Sequence, residues 1–204
     1  DMDYVTQQGL SGAIYALLAF DCRGYDIPSA DKNVGQTSRE GLVKYILDKQ
    51  LKDGGWAYSG DKTEPDMTAM ALQALAAYYK TDAKVKEAAD KAVTCLSKLQ
   101  NTTGGYDSYG SVNSESAAQV ITALTALGID PDNDARFVKN GASVLDSLCG
   151  FYVDGGGFRH VSDGKLDPTA TAQGYYALAA YYRFAGSQTA LFDMTDLDTV
   201  EKAA

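Results

Sequence analysis

The sequence predicts an all-α fold, an arc or partial barrel of repeated α-hairpins in which inner and outer helices alternate along the chain. Three observations carry that prediction. A unit of roughly fifty residues recurs three times. Two kinds of helical periodicity alternate between the recurrences. Each recurrence also holds a long connection with a Gly-Gly-aromatic turn, at Trp56, Tyr106 and Phe158. The 204 residues contain no break in composition, so residues 1–204 read as one domain, a fragment of a larger protein.

In chain order, an inner helix is expected near 9–22, where Gly9, Ala13, Ala16 and Ala19 punctuate an apolar run. An outer helix follows near 38–50, opened by a capping-box spacing at Thr37-Ser38-Arg39-Glu40. A long loop (51–65) leads to an inner helix near 66–80, rich in alanine and apolar nearly all round, which predicts burial on most sides. The next outer helix, near 83–99, is amphipathic. Val85, Ala88, Ala89, Ala92, Val93, Leu96 and Leu99 form one stripe, with Lys84, Lys86, Glu87, Asp90 and Lys91 opposite. A second long loop (101–114), an inner helix near 115–128 and an outer helix near 136–149 repeat the scheme. A third long loop (150–166) precedes the last inner helix, near 168–185. Inner-to-outer connections are short (Tyr79–Ala83, Gly128–Asp134), no strand is expected, and the inner helices are expected to run parallel. All three long loops then emerge on one rim, beside the N-termini of the inner helices, where function on a rigid scaffold concentrates.

Charge and composition exclude several classes. Lys and Arg number 18 against 27 Asp and Glu, a net charge of −9, and that field repels phosphate backbones and anionic lipid. Nucleic-acid partners and membrane insertion are therefore not expected, and no apolar run approaches the roughly 18 residues of a spanning helix. Cys22, Cys95 and Cys149 are widely spaced and odd in number, which fits thiol packing rather than a disulfide framework or a zinc ribbon. The N-terminus has no signal-peptide pattern.

The string Tyr45, Ile46, Gln50, Gly54, Trp56 resembles the QW repeat of squalene and terpene cyclases, found in looser form in protein prenyltransferase β-subunits. The resemblance spans nearly the whole chain and implies the α/α toroid of the terpenoid cyclase and prenyltransferase superfamily. In that superfamily the glutamine ties one helix end to the next helix start, and the aromatic ring stacks on it. Repeat two keeps Gln100 with Tyr106; repeat three has Tyr152 in the glutamine position, with Phe158. The inner strings Thr68–Leu75, Asn113–Val120 and Thr169–Leu178 look closest to the transcobalamin and intrinsic factor branch, a pattern shared by helical domains of bacterial surface proteins. That branch implies an extracellular or cell-surface location, a cobalamin-like ligand, and an additional β-domain in the full-length protein.

The enzymatic branches match incompletely. The cyclase motif Asp-x-Asp-Asp-Thr-Ala corresponds to Glu64-Pro65-Asp66-Met67-Thr68-Ala69, leaving Asp66 as the one catalytic candidate without its neighbouring carboxylate. The prenyltransferase zinc ligands Asp-x-Cys correspond to Asp167-Pro168-Thr169, and His160 is the only histidine, so no zinc is expected. Three functions follow from the sequence. The first is a non-catalytic binding module for a small polar ligand or partner protein. The others are a structural spacer or adhesion domain of a surface protein, and a terpenoid-type enzyme. Binding places Tyr58, Tyr109, Asn113, Gln119, Asp167, Thr169 and Gln173 on the rim, gripping a neutral polar ligand or protein surface by flat apolar area and amides. The bland alternatives are that Glu64, Asp66, Glu115, Ser116 and Asp167 cap helices, that Trp56, Tyr106 and Phe158 anchor loops, and that the paired tyrosines pack in the core or far rim.

Overall fold

The computed structural model describes residues 1–30 and 35–197. The chain is mostly helical. In order it forms α1 (Met2–Thr6), α2 (Gly9–Asp21), α3 (Arg39–Asp48), α4 (Pro65–Leu75, extended by a 3-10 turn at Ala76–Tyr78) and α5 (Ala83–Leu99). Then come β1 (Asp107–Ser108), β2 (Ser111–Val112), α6 (Ser114–Ala126), β3 (Val138–Lys139) and β4 (Ala142–Ser143). The series ends with α7 (Val144–Cys149), β5 (Tyr152–Val153), β6 (Gly157–Phe158) and α8 (Pro168–Ala185). Helix α2 packs on α4, α4 on α6, and α6 on α8, while α3, α5 and α7 each pack on the helix before them in that series.

Burial follows from position in this series. In α6, ten of thirteen residues are buried, and α4 buries all but Asp66 and Met70. Both are flanked by helices of the series on two sides and backed by a third, α5 or α7, which leaves little of their surface open. Helices α2 and α8 stand at the ends and bury one stripe each: Leu10, Ala13, Ile14 and Leu17, and Ala170, Gly174, Ala177 and Ala180. The expectation of burial on most sides fails there because each has a neighbour of the series on one side only, and Tyr15, Tyr175 and Tyr182 are exposed. Helix α5 is the amphipathic cover. Asp82 accepts from the Lys84 and Val85 N–H groups (2.8 and 3.2 Å) and so fixes its start. Its stripe Val85, Ala88, Ala89, Ala92, Val93 and Leu96 is buried, but Leu99, expected on the same stripe, is exposed at the last turn of the helix.

Four further departures have local causes. Short strands exist after all, as three antiparallel two-residue pairs; in glycine-rich loops lying on protein, backbone groups removed from water must pair. The outer helix expected near 136–149 is only α7. Asp130 accepts from the Asp132 and Asn133 N–H groups (2.9 and 3.2 Å), turning the chain early. Asn140 and Gly141 then take φ of 51° and 83°, a hairpin turn that a helix cannot contain. The cap of α3 is Ser38, whose side chain accepts from the Gly41 N–H (3.0 Å), not Thr37, which is buried. The reciprocal capping box lies instead at Ser143 and Asp146 of α7. Finally, the segment after α8 returns to α2. Met194 N–H donates to the Cys22 carbonyl (2.8 Å), Arg23 donates to the Leu197 carbonyl (3.2 Å), and Arg183 holds Asp196 (2.6 Å). The three cysteines are unpaired.

The long loops share one bonding scheme. Gln50 Nε2 donates to the carbonyls of Gly54 and Ala88 (both 2.8 Å), and Gln100 Nε2 donates to those of Gly104 and Phe137 (3.0 and 2.8 Å). Each glutamine thus closes its own turn and ties a helix end to the next outer segment. Trp56, Tyr106 and Phe158 are fully buried, and each offers its carbonyl to the backbone N–H of the residue just before α4, α6 or α8, namely Glu64, Asn113 and Asp167 (2.9, 3.4 and 2.9 Å). Thr68 and Thr171 lock the first and third anchors by accepting the Trp56 and Phe158 N–H groups (2.9 and 3.0 Å). The approach is close enough to require glycine: a Cβ on Gly55 would lie 2.2 Å from Thr63, and one on Gly157 would lie 2.5 Å from Thr171.

Candidate functional site

Glu64 organises the start of α4. The residue before a proline is pushed to extended backbone, and Glu64 has φ −113° and ψ 134° with no side-chain cap bond. Its carboxylate is therefore free to gather the loops. Oε2 accepts from the Tyr58 N–H (3.0 Å) and Oε1 from the Tyr109 hydroxyl (3.2 Å). Both tyrosine side chains stand out of the surface: Tyr58 is 67% exposed and Tyr109 85%.

Tyr109 occupies an unusual place. It and Gly110 form the turn of the β1–β2 hairpin with φ of 54° and 88°, the left-handed pair of a type I′ turn. Asp107 Oδ1 braces the turn by accepting the Gly110 N–H (3.1 Å). In the β3–β4 hairpin the same two positions hold Asn140 and Gly141. Asparagine tolerates that backbone, whereas an aromatic residue there is strained by roughly 1–2 kcal/mol. The nearby Glu64 charge, then burial and the hydrogen bond to Glu64, raise the Tyr109 hydroxyl above its ordinary pKa.

Behind this pair sits Asp66, in the first turn of α4. Its Oδ2 accepts from the Ser108 hydroxyl (2.9 Å). Burial is the main cause that raises its carboxyl pKa; Glu64 and Glu115 add to the rise, while the Ser116 and Ser108 hydroxyls oppose it. Ser116 sits near enough to act on the charge but not in hydrogen-bond geometry, since Ser116 Oγ and Asp66 Oδ1 are both buried without a partner. A raised carboxyl pKa means that the folded chain holds the proton more tightly than the unfolded one. Stability from this group is therefore full below the ordinary value of 3.8 and is lost as pH rises through the raised value. Asp66→Asn should then melt higher than the parent at neutral pH, with the gap closing as pH falls below about 4. Paired melting curves across that range check it; a gap that widens toward acid contradicts the assignment.

The third loop reaches the same region through α6. His160 Nδ1 lies 2.8 Å from Glu115 Oε2, and the His160 carbonyl accepts the Ser114 N–H (3.0 Å). The remaining sequence candidates are placed differently. Asn113 is 4% exposed, with Oδ1 accepting from the Ser116 N–H (2.8 Å) and Nδ2 donating to the Ser111 carbonyl (3.3 Å), so its amide is used as a cap. Asp167 likewise caps α8 by accepting the Ala170 N–H (2.8 Å). Gln119 and Gln173 belong to a ladder across the inner helices. Gln73 donates to Gln119 Oε1 (2.9 Å), and Gln119 donates to Gln173 Oε1 (3.1 Å) and to the Tyr176 hydroxyl. Thr169 is exposed at the start of α8. Of the seven candidates, the structure thus brings Tyr58 and Tyr109 together at one surface point, and Gln119 and Gln173, both half-buried, together between α6 and α8.

The sequence offered Glu64 as a helix cap or the first acid of an incomplete cyclase motif, and His160 as the single histidine of an incomplete zinc set; neither reading brought them to this rim. The signal for Glu64 was present, since glutamate is a poor cap compared with Ser, Thr, Asp or Asn. Cavities lie elsewhere among the described residues. One of about 650 Å³ is a groove between α3 and α5 floored by Val43, Leu47 and Ala88. Another of about 350 Å³ lies between the C-terminal segment and the inner helices, lined by Leu18, Gln73, Thr122 and Phe192. Among the described residues no group of three or more His, Cys, Asp or Glu is placed to hold a metal ion. None of their helices is long and apolar enough to cross a membrane. No protein-family model matches the chain, and comparison with curated proteins returns no match.

Proposed function

We propose that this chain is a non-catalytic binding module, working outside the cell or at its surface, that engages a partner protein or a polar ligand through Tyr58, Tyr109 and Glu64. The observation that carries the reading is Tyr109, an almost fully exposed aromatic held in left-handed backbone where the matching turn uses asparagine. Strain of that kind persists where the side chain is needed for something other than stability. Tyrosine supplies flat apolar area and a hydroxyl at low entropic cost, the usual equipment of a contact surface. Because Asn113 and Gln119 spend their amides on bonds within the chain, the contact falls to the tyrosines, and a partner surface suits them better than a small molecule.

We read the scaffold as an α/α toroid with the inner helices parallel. Supporting this are the sequential packing of α2, α4, α6 and α8, the glutamine ties of the first two loops, the anchor carbonyl bond common to all three, and the return of the C-terminal segment to α2. Tyr176 of α8 also lies within electrostatic reach of Tyr15, Asp66 and Glu115, one from each other inner helix. An enzyme of the cyclase type is disfavoured. The adjoining carboxylate of the cyclase motif is missing, since Met67 follows Asp66. A spacer is the second reading, favoured by the glutamine ladder that joins α4, α6 and α8.

The test is selection of a displayed random-peptide library on the immobilised chain. Binders should be lost on Tyr58→Ser/Tyr109→Asn and kept on Tyr182→Ser. Binders that instead depend on Lys80 or Pro131, at the short-loop end, contradict the rim, and a selection that enriches nothing favours the spacer.

A further inference from the structure

We propose that the free side of α8 is where a second copy of this chain docks, helix against helix about a two-fold axis. The surface shares no residue with the Tyr58–Glu64–Tyr109 rim, and neither reading needs the other. It is a single stripe: Pro168, Ala172, Tyr175, Ala179 and Tyr182 are all exposed, Tyr182 by 74%. Each stands two residues from a member of the stripe that α8 buries, Ala170, Gly174, Ala177 and Ala180, which at 3.6 residues per turn is the opposite side of the helix. The repeat shows what becomes of this side elsewhere. The anchor carbonyl bonds put Glu64, Asn113 and Asp167 in register. Counted from them, Pro168 corresponds to Pro65 and Ser114, Ala172 to Ala69 and Ala118, and Tyr175 to Leu72 and Ile121. All six counterparts are buried, because α4 and α6 have a neighbour of the series on both sides. The α2 end of the series is also covered: α1 lies on it so closely that a Cβ on Gly12 would fall 2.0 Å from the Val5 carbonyl oxygen. The α8 end is apolar and bare, where a stacked array needs a cap.

The stripe is built to meet itself. No charged residue occurs from Pro168 to Tyr182, so two chains of net charge −9 can approach here without like charges face to face. Large and small side chains alternate along it. A two-fold axis level with Ala177 sets Tyr175 against the partner's Ala179, and Tyr182 against the partner's Ala172. The rings of each copy then fill the gaps of the other, which is what a contact between identical surfaces requires. The third loop widens the patch. The exposed Tyr152 ring meets Phe158 edge-on at 5.6 Å, and Phe158 meets Tyr175 at 5.7 Å. A contact centred on one helix per copy falls at the lower end of specific interfaces, about 600 Å² per partner, so micromolar rather than nanomolar association is expected.

Sedimentation equilibrium of the full chain from about 1 to 300 μM tests this. The mass should rise from that of one chain toward that of two, with a Kd of about 10–100 μM. Ala179→Glu puts a charge at the centre of the contact and should weaken association at least about a hundredfold, while the melting midpoint of the dilute chain stays unchanged. Tyr182→Ser should weaken it about tenfold. The double change Tyr175→Lys/Ala179→Glu sets opposite charges across the axis and should restore a dimer, now one that weakens as salt rises. A parent that keeps the mass of one chain throughout overturns the second copy as the occupant and leaves the edge to a helix of another protein. Association undiminished by Ala179→Glu and Tyr182→Ser places the contact on a different face and overturns the proposal as well. A double variant that stays monomeric overturns the two-fold pairing of Tyr175 with Ala179.

Discussion

Trp56→Ala should destabilise the chain by about 3–5 kcal/mol, the usual cost of emptying a site that held a buried tryptophan. Trp56 is fully buried, its N–H is accepted by Thr68 Oγ1, and its indole Nε1 donates to the Ile46 carbonyl (2.7 Å). The cavity dominates the loss. The Ile46 carbonyl keeps the Lys49 N–H as a second donor, so it is not orphaned, and the bonds to Thr68 use backbone that alanine retains. For a chain of this size each kcal/mol moves the midpoint by about 2–4 °C, so a fall of about 10 °C is expected. Set against a total stability of about 5–15 kcal/mol, that is a large fraction. Trp56 is also the only tryptophan, so its fluorescence reports the anchor in the parent, and thermal melting followed by circular dichroism reports the variant. An unchanged midpoint would remove Trp56 as the anchor of the first loop.

Gln100→Leu should cost about 2–4 kcal/mol, because the two carbonyls it serves, Gly104 and Phe137, lose a buried donor at about 1–3 kcal/mol each. Part of the loss is offset, since Gln100 Oε1 is itself buried and unpartnered and leucine removes it. Gln50→Leu breaks the equivalent pair of bonds to Gly54 and Ala88, but Gln50 is only half-buried, so water can serve the released carbonyls. The order of effects is therefore Gln100 above Gln50. Melting midpoints for the two variants measure it, and the reverse order would show that burial does not govern the worth of these ties.

The helices were legible because their signals are local and periodic: the stripe of α5, the alanine-rich α4 and α6, and the recurring Gly-Gly-aromatic turns all sit where the sequence puts them. What failed depended on neighbours. Helices α2 and α8 look like inner helices in sequence and are half-exposed because they end the series. The shortening of α7 was signalled by Asn140-Gly141 inside the expected helix, a hairpin dipeptide outweighed by the apolar pattern around it. At the site, the exposed tyrosines followed from their offsets after the glycine turns. The internal bonding of Asn113, Gln119 and Gln173 did not, because an amide that caps or crosses helices reads in sequence like one that meets a ligand. Glu64 as the hub joining two loops is a tertiary fact, set by Pro65 and by where the β1–β2 turn lands.

The central claim is that Tyr109 is held in strained backbone for a contact rather than for the fold. The most direct measurement is Tyr109→Asn, read by melting and by binding of the peptides selected on the parent chain. Relief of the left-handed strain should raise stability by about 0.5–1 kcal/mol, or about 1–4 °C, with little lost from the exposed bond to Glu64. Binding should fall by about tenfold or more, as for loss of an aromatic anchor. A variant that melts lower than the parent while binding the selected peptides equally well would contradict the account, because Tyr109 would then serve the fold and not the partner.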